Sequence, residues 1–158
     1  MIKLISLFLV IVITYNGNYK PNLTWADFKV VKTLNDASAE TTTEISYSYE
    51  ETNGKVSIDV YCTMDKKQSF VVEGKQTPYL LNHEQRHFDI SYYYAKLLHK
   101  RFNEAKSLTE SKAKYTYNKT IIEWSGEQDL YDKETDHSIN VKNQGLWDKK
   151  IDKLLNIK

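Results

Sequence analysis

Thr77-Pro78-Tyr79-Leu80-Leu81-Asn82-His83-Glu84-Gln85-Arg86-His87-Phe88-Asp89-Ile90 opens a run that holds neither glycine nor a further proline through Ala105. Thr77 offers a capping hydroxyl, and Pro78 suits the first helical position, where a missing N–H costs nothing. The pattern predicts a helix from Pro78 to about Ala105, with His83, His87, Ile90, Tyr94 and Leu97 on one stripe. Histidines four residues apart on a helix sit one above the other on the same face. His83-Glu84-Gln85-Arg86-His87 therefore spells H-E-x-x-H in the setting where two imidazoles can share one zinc ion. The glutamate between them is placed to polarise a water on that metal. The bland reading, two hydrogen-bonded core histidines, needs no metal.

Working outward, Thr109 starts a second long helix carrying Ala113, Tyr117, Ile121, Trp124 and Leu130, with Gly126 as a place for a bend. Residues 138–143 read as a loop, and a final amphipathic helix follows with Leu146, Trp147, Ile151, Leu154 and Leu155. Upstream, residues 42–50 and 56–64 alternate in polarity around Asn53-Gly54, a strong short hairpin signal. Gln68 to Val72 is a candidate third strand. Thr24-Trp25-Ala26-Asp27-Phe28 predicts a helical turn capped by Thr24, with Asp27 reaching back. The expected fold class is α+β and zincin-like: a small antiparallel sheet, built on the hairpin, packed on the H-E-x-x-H helix and two further helices.

The bulk numbers fit one domain. The chain has 158 residues, of which 41% are hydrophobic, enough to bury a core. Twenty-two basic residues face 21 acidic ones, for a net charge of +1, which gives nucleic acid no basic patch to bind. A lone cysteine, Cys62, excludes an intrachain disulfide, and its strand pattern beside Val60 and Ile58 makes it a small buried hydrophobe. At the start, Lys3 precedes an apolar run from Leu4 to Thr14. Its length suits an export signal and is short for a membrane span. Residues 1–17 are thus expected to be a signal peptide or signal anchor, and residues 18–158 the zincin-like metallopeptidase domain. The expected location is secreted or periplasmic, with no membrane association beyond the anchor.

A catalytic zinc has three protein ligands and an open position for water. His83 and His87 supply two. His99 lies twelve residues beyond His87 on the same helix, about 18 Å along the axis and out of reach. His137, in Tyr131-Asp132-Lys133-Glu134-Thr135-Asp136-His137, falls at a helix-to-loop boundary and is the favoured third ligand. Asp89, Asp132, Glu134 and Asp136 are its rivals, since carboxylates also bind zinc. Asp89 has a second reading, as a carboxylate that orients a ligand histidine. Glu84 is the expected general base, and Tyr131 a candidate donor to the oxyanion, against the plainer reading of a core tyrosine.

Three separated elements resemble the bacterial family of predicted secreted zinc-dependent proteases, long catalogued as a domain of unknown function. Trp25-Ala26-Asp27-Phe28 looks like its W-x-D-F. His83 through Asp89 looks like its H-E-x-x-H-F-D, and Tyr131 through His137 looks like its Y-D-x-x-T-x-H, followed by Gln144 and Trp147. The resemblance spans about residues 20 to 152. It implies export, a zincin-like site, and metal and base roles for His83, His87 and Glu84, and it strengthens His137. Two departures are visible: similar sequences tend to carry a small residue where Arg86 stands, which suggests narrowed access, and glycine where Ser138 stands. The expected activity is a zinc metallopeptidase acting on a peptide or protein substrate. The alternatives are a non-catalytic envelope binding module with structural or no zinc, and an amidase acting on envelope polymers.

Overall fold

The computed structural model describes residues 13–14, 21–32, 37–53 and 55–156. The expected signal, residues 1–17, lies outside this set apart from Ile13–Thr14, which form a short strand, β1. A 3-10 turn at Trp25–Asp27 is followed by β2 (Lys29–Val31), β3 (Ala39–Glu40), β4 (Thr43–Thr52), β5 (Lys55–Met64) and β6 (Phe70–Val72). Three helices complete the chain: α1 (Pro78–Glu104), α2 (Glu110–Thr135) and α3 (Val141–Asn156).

The β4–β5 hairpin forms where alternation and Asn53 place it, in an unbroken antiparallel register from Thr43↔Met64 to Thr52↔Lys55. Asn53 takes the left-handed conformation, φ 53°, that such a turn demands. β1 joins this sheet along β5. The expectation of a wholly antiparallel sheet needs correction. β6 belongs to a second, mixed sheet of order β2-β6-β3, with β2 parallel to β6 and β3 antiparallel to it. Parallel pairing needs a long connection, and here β3 and the whole hairpin lie between the two partners. Strands of two and three residues carry too little alternation to be read locally.

α1 is buried on two faces, not the single stripe expected. Phe88, Tyr92, Ala95, Leu98 and Phe102 pack on Ile45, Val60, Cys62 and Met64 of the hairpin. The other side, with Ile90, meets Tyr131 of α2 and Trp147 and Ile151 of α3. Thr77 caps the helix as expected, its Oγ1 accepting from the Leu80 N–H at 3.1 Å. Thr109 does the same for α2 through the Lys112 N–H, and α2 runs through Gly126 without interruption. α3 begins at Val141, inside the expected loop. Burial pushes the Cys62 thiol up to about 12, with the Asp89 charge adding, so it stays protonated and inert.

Candidate metal centre

Helical spacing does what it was expected to do at His83 and His87. Their Nε2 atoms lie 3.2 Å apart, and the rings meet edge to face with centroids 4.8 Å apart. The third corner comes from α2. Asp132 Oδ1 is 3.0 Å from His87 Nε2 and 3.3 Å from His83 Nε2. The ligand atoms of His83, His87 and Asp132 all lie within 4.8 Å of one another, so this cluster could hold a metal ion. Two imidazole nitrogens and one carboxylate oxygen form a donor set that suits a catalytic zinc, with three protein ligands and a position left for water. All three residues, with Glu84, line one cavity of about 730 Å³, so the trio faces open space on one side.

His137 stands at the rim. Its ring is 75% exposed, and its Nδ1 is 3.6 Å from Asp132 Oδ1. The cause is local. α2 stays helical through Thr135, which keeps Asp132 on its inner face. Asp136, His137 and Ser138 then all take positive φ (49°, 49° and 75°), turning the chain after the helix. Of the other rivals, Glu134 accepts from the Trp147 indole, and Asp136 is exposed at the end of the helix.

Charge is concentrated at this spot. Burial pushes the Glu84 carboxyl above its usual range, the Asp132 charge adds, and the nearby histidines and Thr41 oppose without prevailing. Glu84 is only 1% exposed, and its Oε2 accepts a 2.6 Å hydrogen bond from Thr41 Oγ1. Burial acts to raise the Asp132 pKa, yet hydrogen bonds from His83 and His87 hold it well below the carboxylate range. Burial acts to lower His87, but the hydrogen bond and charge of Asp132, with Glu84, carry it above its ordinary value.

Support comes from Gln128 and Ser91, which the sequence did not advertise, and from Gln144 and Tyr131, which stood in its motifs. His87 Nδ1 is 2.7 Å from Gln128 Oε1, and His83 Nδ1 is 2.9 Å from Gln144 Oε1. Ser91 Oγ gathers Thr43, Trp124 and Gln128 beside His87. Tyr131 is fully buried, with its ring stacked on His83. Its hydroxyl bonds to Gln144 and to the His83 carbonyl, and burial lifts its pKa far above that of a free phenol. Tyr131 is not among the cavity-lining residues; its hydroxyl is engaged behind His83 rather than offered to an oxyanion.

Two expectations about α1 change. The Asp89 carboxylate is engaged within its own helix, taking Gln85 Nε2 at 2.8 Å and Arg86 Nη1 at 3.0 Å. Arg86 does not narrow the cavity. It reaches across to α3, binding Asp148 at 3.0 Å and Asp152 at 2.7 Å. Gln85 also fastens the N-terminal segment, accepting from the Leu23 N–H and donating to the Pro21 carbonyl.

No curated protein and no solved structure matches this chain. One family model does, described as "Bacterial protein of unknown function (DUF922)", and it covers residues 23–138, from the strand-bearing half through the His83–Asp132 cluster to the turn after α2. The chain therefore belongs to this bacterial family of unknown function.

Proposed function

We propose that the protein is an exported zinc-dependent metallopeptidase, which hydrolyses peptide bonds in or beyond the bacterial envelope. The observation that carries this reading is the convergence of His83, His87 and Asp132 beside a buried, proton-avid Glu84 on the wall of one open cavity. The apolar run after Lys3 is the support for export. Among the described residues no helix is long and apolar enough to cross a membrane.

A zinc ion held by His83, His87 and Asp132 would polarise the scissile carbonyl and bring the pKa of a bound water to about 7. Glu84 takes the proton of the attacking water. Thr41 occupies Oε2, which leaves Oε1 to accept it. The raised proton affinity of the buried carboxyl lets it hold that proton and return it to the leaving amine. Leu80, Trp124 and Ile139 give the cavity an apolar lining beside the polar centre, a composition suited to a side chain of a peptide.

The test is metal analysis with hydrolysis of a mixed peptide library. Wild type should carry one zinc per chain. Glu84→Gln should keep the metal and lose hydrolysis by about 100-fold or more, because an amide cannot take the proton. His83→Ala, His87→Ala and Asp132→Ala should lose zinc, whereas His137→Ala should retain it. A chain that holds no metal, or a Glu84→Gln variant that leaves every property unchanged, would favour a non-catalytic envelope module. Cleavage of envelope amides but not of peptides would move the enzyme to the amidase class.

A further inference from the structure

Both histidines are held from behind by a glutamine, and the direction of each amide is fixed independently. Gln128 Nε2 lies 2.9 Å from the His87 carbonyl oxygen, a group that only accepts. The amide nitrogen must stand there, so Oε1 is the atom facing His87 Nδ1 at 2.7 Å. Gln144 Nε2 lies 3.0 Å from Asp148 Oδ1, a carboxylate oxygen, which places Gln144 Oε1 against His83 Nδ1 at 2.9 Å. An amide oxygen cannot donate. Each Nδ1 must therefore carry a proton, and each Nε2, facing Asp132 and the cavity, is the ring nitrogen left to give up its proton and offer a lone pair to a metal.

We infer that Gln128 and Gln144 are positioning residues that lock His87 and His83 as Nδ1–H tautomers and so prearrange the metal-binding pair of nitrogens. This rests on the metal-centre reading above. Gln128 is the sharper case. It sits one turn before Asp132 on α2, so a single helix addresses both ring nitrogens of His87, accepting at Nδ1 and meeting Nε2 with a carboxylate. Its amide nitrogen also bonds Ser91 Oγ at 3.0 Å, so the side chain is held at three points. Because both supports are neutral amides, Asp132 is the sole anion among the three ligands.

The experiment measures zinc affinity by chelator competition for wild type, Gln128→Leu, Gln128→Glu and Ser91→Ala, alongside thermal unfolding of the metal-free proteins. Gln128→Leu removes the acceptor and should weaken zinc binding about 10- to 100-fold. Gln128→Glu keeps an acceptor for Nδ1 while losing both amide donations, and should stay within a few-fold of wild type at mildly alkaline pH. Ser91→Ala keeps the acceptor but removes one of the three points that hold it, and should bind zinc less tightly than wild type and more tightly than Gln128→Leu. The zinc-loaded wild type should show a slowly exchanging, strongly downfield Nδ1–H resonance for His87, retained in Gln128→Glu and lost in Gln128→Leu. If Gln128→Glu falls as far as Gln128→Leu, or if Gln128→Leu binds zinc like wild type, the inference is overturned and the metal centre stands. If the wild type binds no zinc, the metal-centre reading itself fails, and the inference with it. Should Gln128→Leu not fold, the Gln128→Glu affinity and resonance decide alone.

Discussion

Ser138 holds φ at +75°, after Asp136 and His137 at 49° each. A side chain in the left-handed region costs about 1–2 kcal/mol that glycine does not incur, against glycine's own entropic cost of about 0.5–1 kcal/mol. Ser138→Gly should therefore stabilise the protein by about 0.5–1 kcal/mol and raise its melting temperature by ~2 °C, measurable by calorimetry. A second expectation concerns pH in the metal-free protein. Asp132 is depressed from 3.8, so its contribution is present above that value and is lost as pH falls through its folded pKa. His87 is raised from 6.5, so its contribution is full below that value and is lost as pH rises through its folded pKa. Glu84 is raised from 4.5 by burial, so its contribution is likewise lost as pH rises through its folded pKa. The melting temperature should be highest at about pH 4 to 4.5 and decline above, and Asp132→Asn should remove the part of that decline that belongs to His87. At this scale the sequence was partly legible. Two histidines one helical turn apart announce themselves by spacing alone. Thr41 and Gln128 do not, because hydroxyls and amides are common everywhere and acquire a role only when another element arrives opposite them. Asp132 could be seen as a candidate but not ranked above His137, since the choice depended on where α2 stops.

Helix α1 is the element on which both halves of the molecule close. Its hairpin-facing side is masked in the periodicity, because a helix buried on two faces leaves no single apolar stripe. Arg86 belongs to the side opposite the hairpin, where it binds Asp89 within its own helix and Asp148 and Asp152 on α3. Asp89 is 0% exposed, so removing Arg86 takes the guanidinium away from a buried carboxylate that Gln85 alone does not neutralise. Arg86→Ala should destabilise by about 3 kcal/mol, read from urea unfolding, while Asp152→Ala, whose carboxylate is more than half exposed, should cost well under 1 kcal/mol. The hairpin was legible because eighteen alternating residues and a turn signal agree. The mixed sheet was not, because its strands are defined by partners far along the chain.

Across the whole molecule, the α+β class and the three helices follow from patterns the sequence displays openly, and the family match agrees in extent with the part that builds the cavity. That match ends at residue 138, before α3 begins at Val141. Yet α3 supplies Gln144 behind His83, Asp148 to Arg86 and Asn82, and Trp147 against Tyr131. The last helix is a buttress beyond the matched segment, and the imidazole it braces is the one nearest the start of the motif. Trimming the gene to the matched segment would leave every residue of the trio in place and still unseat one of them. Whoever subclones this domain by its family boundaries should expect a product whose fault lies some sixty residues away from the histidine left without its brace.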